Sequence, residues 1–117
     1  MDRSHLLAQA RICRDQGRFQ AAADLLLEAF RAAPADGGIS RELGKVLAAG
    51  GDLETGVEFL QRAHQADPDD PDAAAELALL LHHLGREEEA GRCMLASLEA
   101  GLDPRLVVFQ FARERAA

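Results

Sequence analysis

The stretch Gly17-Arg18-Phe19-Gln20-Ala21-Ala22, followed by Ala29 and Pro34, returns as Gly51-Asp52-Leu53-Glu54-Thr55-Gly56, followed by Ala63 and Pro68. The glycine returns a third time, after the same interval, at Gly85, with Ala90 and Ser97 in step behind it. A constant period of about 34 residues marks a stack of helical hairpins, each burying its apolar face against its neighbours. It points to binding rather than catalysis.

Apolar residues on either side of each glycine recur at three- and four-residue intervals. Leu6, Leu7, Ala10 and Cys13 lead into Gly17, and Phe19, Ala22, Leu25 and Leu26 follow it. Leu43, Val46 and Leu47 lead into Gly50-Gly51, while Leu77, Leu80 and Leu81 lead into Gly85. This is helical periodicity, and no clean two-residue alternation bounded by turns competes with it. A glycine after each first helix can take the positive φ that closes it without a Cβ clash. The short connection then makes the two helices antiparallel neighbours. Helices are predicted at about 4–15, 19–32, 38–49, 53–66, 71–83 and 87–100, with a seventh at about 104–115. Asp70-Pro71 and Asp103-Pro104 read as helix starts, the acid as N-cap and the proline at the first helical position.

Small residues hold the same register. Ala10, Gly44 and Ala78 fall in the first helices; Ala22, Gly56, Ala90 and Ala29, Ala63, Ser97 fall in the second. These are predicted sites of close helix approach, where a larger side chain costs about 1–3 kcal/mol. Cys13, Leu47 and Leu81, and then Leu26, Leu60 and Met94, are the large residues expected to fill the space between. Both cysteines, Cys13 and Cys93, fall at positions expected to be buried.

The pattern resembles the tetratricopeptide repeat: a helical hairpin with a small residue in its first helix, a glycine and an aromatic at the turn, small residues in its second helix, and a closing proline. Gly17-Arg18-Phe19, Ala22, Ala29 and Pro34 match it best, and Gly51-Asp52-Leu53, Ala63 and Asp67-Pro68 match it next. In the third repeat Glu87 replaces the aromatic, and the closing proline moves to Pro104. The resemblance implies an all-α fold, a right-handed α–α superhelix of three hairpins plus a C-terminal helix. It implies one domain over 1–117, with repeats at about 3–36, 37–70 and 71–102 and a capping helix at about 103–115.

Composition narrows the functional classes. The chain has 117 residues, 48% of them hydrophobic but only 4% aromatic, so the core must be built of Ala and Leu. Its net charge of −7 argues against nucleic acid and against anionic membranes as partners. Met1-Asp2-Arg3-Ser4-His5 leads into no long apolar run, which predicts neither a signal peptide nor a membrane span. Two cysteines at opposite ends of the repeat array do not make a disulfide framework, and a reduced, cytoplasmic protein is expected. The Ala- and Arg-rich, Lys-poor composition has a bacterial look.

The resemblance implies a concave groove lined by the first helices and occupied by a peptide or helical segment of a protein partner. Its lining positions carry over to Ser4, Leu7, Arg11, Arg14 and Asp15, to Arg41, Lys45, Ala48 and Ala49, and to Asp72, Ala75, Leu79, His82 and His83. Arg11, Arg14, Arg41 and Lys45 make a basic strip suited to an acidic segment, because guanidinium forks pair well with carboxylates. The family's clamp for the acidic C-terminus of a heat-shock chaperone is not expected. Its cation and amide positions correspond here to Leu7, Arg11, Glu42, Asp72 and Glu76, several of them acids.

In the terminal helix Leu106 and Phe109 share a face, while Val107, Val108 and Phe111 spread to others. Those three are candidates for an end contact with a partner, a larger assembly or, weakly, a second copy. A second and shorter resemblance, confined to Leu84-Gly85 and Asp103 through Glu114, is to the small cytoplasmic chaperones of the type III secretion needle subunit.

Catalytic and metal signatures do not assemble. Gly50-Gly51 ends a helix and follows no strand, so it is no phosphate loop. No hydroxyl nucleophile has a base at fixed spacing. His82 and His83 are adjacent on a helix and diverge by roughly 100°, a poor chelate. Asp67, Asp69, Asp70 and Asp72 lack the central glycine and terminal glutamate of a calcium loop and read as a capped turn. A non-enzymatic protein-interaction module is therefore expected, with no cofactor and no metal.

Overall fold

The computed structural model describes residues 2–105. Six α-helices make up the described residues, with no strand among them: α1 (Arg3–Asp15), α2 (Phe19–Ala32), α3 (Gly37–Ala49), α4 (Leu53–Ala66), α5 (Pro71–His83) and α6 (Glu87–Glu99). Each expected helix from α1 to α6 is present, with ends that match the sequence reading almost to the residue. Of the seventh, only the start through Arg105 is described, and Val107, Val108 and Phe111 lie outside the described residues.

The turn within each hairpin is set by its glycine. Gly17, Gly51 and Gly85 have φ of 75°, 98° and 77°. In each case the amide just after the glycine reaches back over the end of the helix. Arg18 N donates to Cys13 O at 2.8 Å, Asp52 N to Leu47 O at 2.9 Å, and Arg86 N to Leu81 O at 2.9 Å. These bonds satisfy carbonyls that the ends of α1, α3 and α5 would otherwise leave unpaired. The same arrangement closes α6 at Gly101, where Leu102 N donates to Ser97 O at 2.9 Å.

A second periodic device starts the first helices. Asp2, Asp36 and Asp70, spaced by the same period as the glycines, are the N-caps of α1, α3 and α5. Asp2 accepts from His5 N at 3.0 Å, Asp36 from Gly38 N at 2.9 Å, and Asp70 from Asp72 N at 3.0 Å. Only Asp70, with Pro71 beside it, was legible as a cap in the sequence. Asp69 N also donates to Asp67 Oδ1 at 3.2 Å, so the acidic run is a capped turn.

The chain divides into two compact units, Met1–Ala66 and Asp67–Ala117. Within the first, Ala10, Cys13, Ala22, Ala23, Leu26, Leu43 and Val46 form one buried cluster that joins α1, α2 and α3. Leu6, Ala29 and Ile39 form another. Each fully buried aliphatic side chain in such a cluster contributes about 1.5–3 kcal/mol relative to exposure. Phe30 and Phe59 meet edge to face at 5.3 Å, with Arg62 lying 5.5 Å over the Phe30 ring, which ties α2 to α4.

In the second unit α5 packs with α6, and Ala73, Ala74, Leu77, Ala78, Leu80 and Leu81 of α5 are all buried. A helix covered on so many sides needs little amphipathic contrast.

All the small residues expected at close approaches are buried, from Ala10, Gly44 and Ala78 to Ala29, Ala63 and Ser97. Ser97 settles its hydroxyl by donating to Met94 O at 2.7 Å. Three large or reactive residues depart from expectation. Leu47, Met94 and Cys93 are half-buried rather than buried. Leu26 is covered by both α1 and α3, whereas among the described residues of the second unit α6 packs on α5 alone.

Candidate functional site

α1 and α3 are the first helices of successive hairpins in the first unit, and their side chains supply one candidate face. Leu7 is half-buried and Arg11 exposed. Among the described residues Arg11 makes no ion pair. Arg14 is held: its Nη1 donates to Glu42 Oε2 at 3.0 Å, and its Nε lies 3.5 Å from Asp15 Oδ1. Leu7, Ala10, Arg11, Arg14, Leu26, Glu42 and Val46 meet along a closed seam with no room for a water molecule. Ala10, Leu26 and Val46 are buried there, Leu7 is half-buried, and the Arg14–Glu42 pair spans the seam.

Arg41 and Lys45 on α3 are half-buried and already have interaction partners. The strip is therefore basic in charge, while its cations differ in availability. Nearer the start of the chain Arg3 Nη1 donates to Asp36 Oδ2 at 3.0 Å. That bond links the first turn of α1 to the cap of α3.

In the second unit the expected lining residues lie on α5. Leu79 is half-buried, His83 exposed and Asp72 exposed. His82 Nδ1 lies 2.9 Å from Glu87 Oε1, so this side chain too is engaged by a carboxylate, here from α6. The His82 and His83 rings are 6.4 Å apart and tilted by 50°. Ala75 departs from expectation: placed on the lining face, it is buried. Among the described residues no three His, Cys, Asp or Glu side chains gather into a metal-binding group. No described helix is long and apolar enough to cross a membrane.

One feature of the first unit escaped the sequence reading. An open pocket of about 540 Å³ lies at the hairpin turns, lined by Arg18, Phe19, Ala21, Leu47, Gly50 and Asp52, among others. The half-buried Leu47 is part of its wall. Gly50 lacks the side chain that Leu84 carries at the matching position of the next repeat. A Cβ at Gly50 would come within 3.3 Å of Phe19 Cβ. The doubled glycine was the available signal.

Two sequence models described as tetratricopeptide repeats match the chain, one over residues 7–71 and the other over residues 47–107. Among solved structures, the Sgt2 TPR domain from Aspergillus fumigatus is similar with a TM-score of 0.82 at 18% identity, covering 98% of this chain and 82% of that one. MamA 41-end from Desulfovibrio magneticus RS-1 is similar with a TM-score of 0.78 at 21% identity, covering 81% of this chain and 54% of that one. A further MamA structure gives 0.80 at 19% identity, over 85% of this chain and 58% of that one. This chain thus spans little more than half the length of the MamA structures. At these identities the likeness is one of fold. No curated protein sequence matches the chain.

Proposed function

The chain belongs to the tetratricopeptide-repeat family, and from that premise we propose that the α1–α3 face of its first unit binds an extended or helical segment of a partner protein, with Arg11 receiving a carboxylate. Tetratricopeptide repeats are protein–protein interaction modules and are typically non-enzymatic. The observation that carries the finer reading is Arg11: an exposed guanidinium, without an ion pair among the described residues, one turn from the half-buried Leu7. A cation in that position can pair with a partner's carboxylate without first giving up an internal bond. Arg41 and Lys45 on α3 add positive charge to the same face, while Arg14 is neutralised by Glu42. A rigid hairpin face also avoids ordering costs on binding. Both cysteines are free thiols, which supports a reducing, cytoplasmic setting.

The test is capture of partners from the native host by the intact chain, compared with Arg11→Glu and with Arg11→Glu/Arg41→Glu. Reversal at Arg11 should lower partner occupancy about fivefold or more, since it replaces an attraction by a repulsion. Capture unchanged in both variants would rule out the α1–α3 face as the binding site.

A further inference from the structure

Arg14 and Glu42 meet across the seam between α1 and α3, with side-chain exposures of only 30% and 20%. On the reading that this face binds a partner segment, we propose that Glu42 is a specificity-determining residue. It occupies Arg14 and leaves Arg11 to receive one carboxylate. The face therefore takes an aliphatic segment carrying a single acid and discriminates against a run of acids.

Three observations carry this. First, a partner carboxylate can reach Arg14 only by displacing Glu42. The exchange keeps the number of ion pairs constant and strands the Glu42 carboxylate where little water reaches it, so it gains nothing. Second, the charges beside Arg11 are mixed. A second ligand carboxylate arriving next to the first meets Glu42, and Asp15 stands 3.5 Å from Arg14 on the other side. A repulsive element of this kind separates partners more sharply than added attraction does. Third, the seam between the charges is closed over the buried Ala10, Leu26 and Val46, and of its apolar residues only Leu7 reaches the surface. Leu7, one turn from Arg11, suits an aliphatic side chain laid against it rather than further charge. Repeat register shows that the pair is particular to this seam: Arg14 corresponds to Ala48 and His82, and Glu42 to Ala8 and Glu76.

The experiment uses the intact chain and labelled alanine–leucine peptides of equal length carrying no glutamate, one glutamate or a run of glutamates, with binding read by fluorescence anisotropy. The wild-type chain should bind the single-glutamate peptide most tightly. Glu42→Gln, which keeps the shape and removes the charge, should tighten the run-of-glutamates peptide about fivefold and abolish the preference. Raising the salt concentration with the wild-type chain should narrow the gap between the two acidic peptides, because the repulsion is screened. This arm needs no variant to fold. A preference that survives in Glu42→Gln, a gap indifferent to salt, or a wild-type preference for the run of acids overturns the proposal while leaving the α1–α3 face as a binding site. Failure of every peptide to bind every form overturns the binding reading along with it.

Discussion

The first hairpin closes on alanine where the second closes on glycine. At matching positions α1 and α2 carry Ala10 and Ala22, both buried, while α3 and α4 carry Gly44 and Gly56. A Cβ at Gly44 would stand 2.7 Å from Leu60 Cγ and 3.0 Å from Gly56 O. The second pair of helices has thus come closer than a methyl group allows at this point, whereas the first accommodates methyls at the same register. One repeat pattern covers two different packings. In the first hairpin the small residue is filled space, and in the second it is space that must stay empty. Helix propensity opposes the glycine by about 1 kcal/mol relative to alanine. The close contact between α3 and α4 has to offset that cost.

The largest expected effect tests the contact itself. Leu60→Ala removes a side chain that is 2% exposed, and should cost about 2–5 kcal/mol in urea unfolding. Next, Gly44→Ala sets a packing penalty of about 1–3 kcal/mol against a propensity gain of about 1 kcal/mol, for a net destabilisation on the order of 1 kcal/mol. In a Leu60→Ala background the same substitution should cost less, because the nearest obstructing atom is gone while the backbone atoms Gly56 O at 3.0 Å and Leu60 N at 3.1 Å remain. A rise in the urea midpoint for Gly44→Ala alone would break the contrast between the hairpins. The mirror change in the first hairpin, Ala10→Gly, should lose about 0.5–1 kcal/mol through backbone entropy and about 0.8 kcal/mol more with the buried methyl, with no clash relieved.

The smallest effect compares the cysteines. Cys13 is buried in α1, while Cys93 on α6 is half-buried. Cys93 should be alkylated by iodoacetamide in the folded chain and Cys13 only on unfolding. Burial pushes the Cys93 thiol above its ordinary value of 9.0, with Arg92 opposing the shift and Glu89 adding to it. A raised thiol means that the folded state favours the neutral form. Its contribution is therefore intact below the ordinary value and lost as pH rises past it and through the raised one. Alkylation should accordingly turn on at higher pH than for a free thiol, and stability should decline slightly over the same range. A thiol that titrates like free cysteine contradicts this.

How far these features could be read in advance depends on where their cause lies along the chain. Gly17, Gly51 and Gly85 were legible because a positive φ after a helix is a local demand that glycine meets. The aspartate caps were less so. Asp36 precedes Gly37-Gly38, a weak helix start; its spacing from Asp2 and Asp70 follows the repeat period, but its hydrogen bonds are what establish it as a cap. On the candidate face, helical spacing put Leu7, Arg11 and Arg14 together on one side of α1. The bond between Arg14 and Glu42, far apart in the chain, depends on how two hairpins are offset, and no local pattern encodes that. The half-burial of Leu47 likewise follows from the open pocket above the Gly50 turn rather than from its own place in α3.

By itself the sequence determined the helices, the hairpin turns and the register of small residues, since each follows from backbone preferences and apolar spacing acting over a few residues and repeated with one period. Tertiary structure alone decided which small positions must lack a methyl, which inner cation is already taken, and which large side chains stay half in water. Those outcomes depend on distances between helices that the chain brings together only on folding, and a shift smaller than a methyl group there changes the sign of a substitution.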